Sequence, residues 1–155
     1  MLAKGDTAPD FELSDENGVT KRLSTLLGSG PVVLFFYPGA MTYGCTKESC
    51  HFRDLAAEFG AAGAQRVGIS ADRVDKQKQF SEKYSFDFPL LADPDYAVAN
   101  QFGVRRALKA LGNRRVTFVI GTDRTVLGVI VSEVSMRAHA DRALEILGAA
   151  NASAP

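Results

Sequence analysis

Pro31-Val32-Val33-Leu34-Phe35-Phe36-Tyr37 is an unbroken apolar run, rich in β-branched and aromatic residues and closed by Pro38-Gly39. A run of that length bounded by prolines predicts a strand buried on both faces, hence a central strand of a covered sheet. The flanking sequence has to supply the covering layers.

Phe11 and Leu13 alternate with polar neighbours and lead into Asp15-Glu16-Asn17-Gly18 and Val19, which reads as a short hairpin on an Asn-Gly turn. Ser24 is placed to cap a helical turn through Leu27, ended by Gly28 and Gly30. After Gly44-Cys45, the residues Phe52, Leu55, Ala56 and Phe59 form one helical stripe, which Gly60 and Gly63 end. Val67-Gly68-Ile69 predicts a second strand, and Ser70 or Asp72 a cap for a helix carrying Val74, Phe80 and Tyr84. Phe88 to Leu91 is a third apolar segment, and Asp93-Pro94 opens a short helix through Phe102. Arg115 to Ile120 and Thr125 to Val131 flank a turn at Thr122-Asp123-Arg124, a second hairpin; an amphipathic helix then runs from Met136 to Leu147. Strands alternating with helices, followed by a hairpin and a closing helix, predict a three-layer α/β domain around a mixed sheet. No repeat or linker interrupts it, so residues 1–150 are expected to form one domain, with 151–155 as a frayed tail.

With 155 residues, 46% of them hydrophobic, the chain can bury one full-sized core. Eighteen basic residues balance eighteen acidic ones. Such a chain is not drawn electrostatically to nucleic acid or anionic membranes, which leaves a small molecule as the default partner. No stretch has transmembrane length, and Met1-Leu2-Ala3-Lys4-Gly5-Asp6 lacks the apolar core of a signal peptide. A cytoplasmic location is therefore expected, where cysteines are kept reduced.

The chain has two cysteines, Cys45 and Cys50. Cys45 stands where a loop hands over to a helix, and the unpaired N–H groups and dipole of a helix N-terminus favour the thiolate, the nucleophilic form. Cys50 lies five positions later in the same predicted helix, roughly 8.6 Å away between α-carbons. A disulfide needs about 4.4–6.8 Å, so any Cys45–Cys50 bond would require the first turns to unwind. A thioredoxin-like dithiol has two intervening residues rather than four, and a c-type haem site needs C-x-x-C-H. Zinc would need more ligands than His51 and the distant His139 offer, and His51 reads as an ordinary helix residue. Two buried, inert cysteines are the bland alternative.

Pro38-Gly39-Ala40-Met41-Thr42-Tyr43-Gly44-Cys45 fits the P-x-x-x-T-x-x-C pattern of peroxiredoxins. Together with Phe36-Tyr37-Pro38, Thr46-Lys47-Glu48-Ser49-Cys50 and Phe52-Arg53-Asp54, it resembles the bacterioferritin comigratory protein, or peroxiredoxin Q, branch. The likeness extends from Gly5-Asp6 and Ala8-Pro9-Asp10-Phe11 to Thr117-Phe118-Val119-Ile120. It implies a single thioredoxin-like domain, with Cys45 as peroxidatic and Cys50 as resolving cysteine of an intramolecular disulfide. Thr42, Pro38 and an arginine, placed at Arg115 rather than Arg114, complete the implied site. Glu48 either orients Arg115 or favours the first helical turn.

The resemblance further implies a thiol peroxidase acting on hydrogen peroxide and organic hydroperoxides, with no metal or organic cofactor. A thioredoxin-like protein would reduce it, and a monomer or weak homodimer is expected. In that chemistry sulfur attacks one peroxide oxygen while charge grows on the other. Arg115 would stabilise both thiolate and peroxide, and Thr42 would accept from the peroxide and donate to the thiolate. Pro38 would fix and shield the loop, and the N–H of Cys45 is a further donor. Tyr43 stands where the branch commonly has proline, which gives a less rigid loop. Two other readings are a redox sensor whose disulfide switches a surface, and a general disulfide exchanger.

Overall fold

The structure is a computed structural model, and its described residues are 1–108 and 112–153. The apolar run becomes β3 (Val32–Phe36), buried at every position. Before it come β1 (Glu12–Ser14), β2 (Thr20–Arg22) and α1 (Leu23–Leu26). After it come α2 (Tyr43–Asp54), α3 (Ala56–Ala61), β4 (Gln65–Ser70), α4 (Val74–Tyr84), β5 (Leu90–Ala92), α5 (Ala97–Phe102), β6 (Val116–Ile120), β7 (Val126–Val131) and α6 (Met136–Ser153). The strands form one seven-stranded sheet in the order β2-β1-β5-β4-β3-β6-β7. β3 pairs in parallel with β4 and antiparallel with β6, so the sheet is mixed at its centre. β1 and β2 form the expected hairpin, with Gly18 at φ 76° in its turn.

Alternation along β3 divides the core in two. Val32, Leu34 and Phe36 face a cluster with Leu23, Val98, Phe102 and Phe118. Val33, Phe35 and Tyr37 face the opposite one, with Cys45, Phe52, Phe59, Phe80, Ala140 and Leu147. Because both faces are covered, every residue of the strand is apolar rather than every second one. The second face positions the cysteine helix: Phe35 stacks on Phe52 with ring centroids 4.2 Å apart.

Several local expectations are corrected. The helix predicted through Phe59 breaks at Leu55 (φ −96°, ψ 23°). The Phe52 carbonyl, which would accept from the Ala56 amide in a continuous helix, accepts instead from Arg66 Nη1 at 2.8 Å. Ser24 does not cap α1 but lies inside it, donating its amide and hydroxyl to the Asp10 carboxylate at 2.9 and 2.8 Å. Neither Ser70 nor Asp72 caps α4; the N-cap position is Arg73, without a side-chain bond. α5 starts later than Asp93-Pro94 suggests, after Tyr96 in a left-handed conformation, while Asp93 accepts from the amides of Val98 and Ala99. α6 continues to Ser153, through the first residues of the tail expected to fray. Residues 154–155 of that tail lie outside the described residues. Among the described residues, no helix is long and apolar enough to cross a membrane.

Candidate active site

The loop between β3 and α2 brings Cys45 to the sheet. α2 begins at Tyr43, and the Thr46 amide, donating to the Thr42 carbonyl at 2.9 Å, makes its first helical hydrogen bond. The amides of Tyr43, Gly44 and Cys45 therefore precede the ladder and point out of the helix start. Cys45 is fully buried, whereas Cys50, on the same helix, is half-buried; both thiols are free. Burial pushes the Cys50 thiol up, with Arg53 opposing the rise and Asp54 adding to it.

Arg115 reaches Cys45 from the residue before β6. Its Nη1 and Nη2 each lie 3.5 Å from Sγ, and the Gly39 amide approaches the same sulfur at 3.5 Å. Arg114, one residue earlier, turns away, with Nη1 3.8 Å from Met1 Sδ. Gly44 makes room for the fork, since a Cβ there would stand 3.1 Å from Arg115 Nη2. Arg115 Nη1 also donates to Glu48 Oε1 at 2.8 Å, and the Arg115 amide donates to Glu133 Oε1 at 3.1 Å. Burial alone would lower the guanidinium's pKa, but Glu48 and Cys45 hold it above its ordinary value.

The loop itself is pinned from below. The Ala40 amide donates to Asp72 Oδ2 at 2.7 Å, and the Ser70 hydroxyl donates to the same oxygen at 2.6 Å. Gln77 donates to Ser70 Oγ and accepts from the buried Tyr37 hydroxyl. This chain ties the loop to β3, β4 and α4. Met41 takes φ 68°, turning the chain upward into the helix. Thr42 is exposed, and its hydroxyl donates to the Gly39 carbonyl at 2.7 Å instead of to the sulfur. Pro38 is half-buried, with its carbonyl lying where a Cβ on Gly112 (φ 70°) would be. Tyr43, the first residue of α2, is 85% exposed.

A family model described as AhpC/TSA matches residues 4–129. The chain belongs to the AhpC/TSA family. It falls in the peroxiredoxin Q branch, being 38% identical over 146 residues to the chloroplastic peroxiredoxin Q of Sedum lineare, 94% of this chain and 78% of the relative. The crystal structure of peroxidoxin BcpB from Mycobacterium tuberculosis has 60% sequence identity and a TM-score of 0.92, covering 96% of this chain and 98% of that one. Xanthomonas campestris peroxiredoxin Q has 33% identity and a TM-score of 0.81, covering 90% of each chain. The thioredoxin-like fold is thereby established, and with it a peroxidase of the peroxiredoxin class.

Two residues of this peroxiredoxin's buried network escaped the sequence reading. His139, placed there on a distant helix, is fully buried because α6 packs on α2, and its Nδ1 lies 3.5 Å from Glu48 Oε2. Thr117, one strand position beyond Val116, contacts the same nitrogen at 2.8 Å. His51 is the ordinary helix residue expected, bonded to Asp141 at 2.7 Å.

Burial pushes the Glu48 carboxyl from 4.5 up to about 8, against the pull of Arg115 and with Glu133 adding to the rise. The native state thus keeps a proton that the unfolded chain releases. The stability this group contributes is complete below about 4.5 and falls as pH rises towards about 8, levelling off beyond. Urea denaturation of wild type and Glu48→Gln across that range should show the wild type losing stability relative to the variant as pH rises. A constant difference would mean that the carboxyl is ionised throughout.

Proposed function

We propose that Cys45 is the peroxidatic cysteine and Cys50 the resolving cysteine of a cycle that closes through an intramolecular disulfide. The observation that carries this reading is the Cys45 sulfur facing both terminal nitrogens of Arg115 and the Gly39 amide at 3.5 Å. Three N–H donors around one sulfur stabilise a thiolate, and the same donors can stabilise a peroxide oxygen as the O–O bond breaks. Thr42 fits beside them as an acceptor: its proton is engaged by the Gly39 carbonyl, which leaves its lone pairs for a peroxide O–H. Pro38, held against Gly112, walls the loop.

In the first step the Cys45 thiolate forms an S–O bond to one peroxide oxygen. The O–O bond breaks, and the other oxygen leaves with a proton as water or an alcohol. Cysteine is oxidised to sulfenic acid and the peroxide is reduced. α2 then unwinds at its start, Cys50 attacks Cys45 Sγ, the S–O bond breaks and water departs. A thioredoxin-like dithiol returns two electrons through a mixed disulfide. While α2 is folded, resolution is held back twice, by the span between the cysteines and by the burial that pushes the Cys50 thiol up. The substrates under this reading are hydrogen peroxide and organic hydroperoxides. No nucleic acid or membrane takes part, the location is cytoplasmic, and the chain works as a monomer or weak homodimer.

Intact-mass measurement with thiol counting, before and after one equivalent of peroxide, tests the pairing. Loss of both thiols, with a mass lower by two hydrogens and no dimer, is expected. Gain of one oxygen with the Cys50 thiol still free would remove Cys50 from the cycle. Slow, stoichiometric oxidation without turnover in the presence of a thioredoxin system would favour the sensor reading.

A further inference from the structure

Behind Glu48 lies a polar wall that the proposed cycle does not use. His139 is 0% exposed. Its Nε2 stands 2.8 Å from the Ser132 carbonyl oxygen, which can only accept, so Nε2 carries the ring proton. Nδ1 of the neutral ring is then an acceptor, and the Thr117 hydroxyl donates to it at 2.8 Å. Burial favours this neutral ring by lowering the imidazole's pKa.

The same Nδ1 faces Glu48 Oε2 at 3.5 Å. That oxygen is buried and has no hydrogen-bond partner among the described residues, while its twin Oε1 holds Arg115 Nη1 at 2.8 Å. Two bare acceptors so close in a dry interior repel each other unless one of them carries a proton. With the proton on Oε2, the acid hydrogen shares the single Nδ1 lone pair with the Thr117 hydroxyl as a long three-centre contact, and Oε1 still accepts outward from Arg115. The other titratable or charged groups around the pair and its arginine are Cys45 on α2, Glu133 between β7 and α6, and Arg142 on α6.

We propose that His139 is a positioning residue of the peroxidase site, holding the inner oxygen of Glu48 through Nδ1 and thereby fixing where Arg115 presents its fork to Cys45. The inference rests on the reading of Cys45 and Arg115 given above. It adds a residue from the far end of the chain to that site. Arg115 has to centre two nitrogens on one sulfur at equal distance. A carboxyl free to swing about its own bond would not hold it there.

The test uses the full chain with His139→Leu, His139→Asn and His139→Gln, reading the second-order rate of hydrogen peroxide consumption. Leucine fills the space without polar atoms, and a loss of roughly tenfold to a hundredfold is expected, the usual cost of misplacing a reacting group. Asparagine puts an amide where Nδ1 was and should recover the rate to within about threefold, whereas glutamine reaches the Nε2 position and should stay slow. In a Glu48→Ala background, His139→Leu should change the rate by less than about twofold, because nothing is left for it to act through. Rescue by glutamine instead of asparagine would overturn the proposal and assign His139 to anchoring Ser132. An equal loss in both backgrounds would overturn it as well. If the leucine variant does not fold, the asparagine–glutamine contrast still decides. A Cys45→Ser variant that still consumed peroxide would sink the site reading itself, whereas full activity in all His139 variants beside an inactive Cys45→Ser would sink only the positioning role.

Discussion

Replacing Cys45 by serine is expected to bring peroxide consumption down to the uncatalysed background, while Cys50→Ser consumes one equivalent and then stalls. The two variants separate chemistry from resolution. A hydroxyl at position 45 is a poor nucleophile towards a peroxide oxygen at neutral pH, and the surrounding donors cannot repair that. Arg115 and Gly39 would still surround the side chain, so this variant should fold with its geometry intact. In Cys50→Ser the sulfenic acid forms at the normal rate and persists, since the sulfur that should displace its oxygen is missing. Rapid-mixing measurement of the first turnover, beside steady-state turnover with a thioredoxin system, distinguishes the two. Sustained full turnover by Cys50→Ser would reassign resolution to the reductant itself.

The sequence made some of this arrangement legible and hid the rest for a physical reason. The apolar run at Val32–Phe36 identified the central strand because burial on both faces leaves no alternative pattern. The eight residues from Pro38 to Cys45, together with Arg115, could be read from spacing and resemblance. The structure then placed Arg115 Nη1 and Nη2 at the Cys45 sulfur. What could not be read was which of several possible partners a polar group takes. Asp72 has the local signature of a helix cap, yet its carboxylate holds the Ala40 amide of the active-site loop. Ser24 has the same signature, yet Asp10 claims both its amide and its hydroxyl. Nothing near Phe52 announces that Arg66 will take its carbonyl where the helix ends. His139 is the extreme case, meeting Glu48 only because α6 folds back onto α2. Local sequence shows which groups need a partner, and tertiary packing decides which partner they get.

Arg115 has to serve two neighbours at once, and this sets the second large effect. Arg115→Met should lower the rate of peroxide consumption by roughly a hundredfold to a thousandfold, as losing a donor aimed at developing charge does elsewhere. Arg115→Lys should recover little of that loss. An ammonium is a point charge on a flexible stem, whereas the present geometry uses two nitrogens of one rigid fork on the sulfur and one of them on Glu48 as well. The methionine variant also leaves Oε1 of the buried, protonated Glu48 carboxyl without its donor, so it should lose some stability along with activity. Adding Glu48→Leu separates the two effects, because it removes the acceptor that Arg115 had satisfied. Arg115→Met with Glu48→Leu should regain most of the lost resistance to urea and none of the lost rate. If the rate returned together with stability, Arg115 would be only a structural hydrogen-bond partner of Glu48, and the stabilisation of the Cys45 thiolate would have to come from Gly39 and the helix start alone.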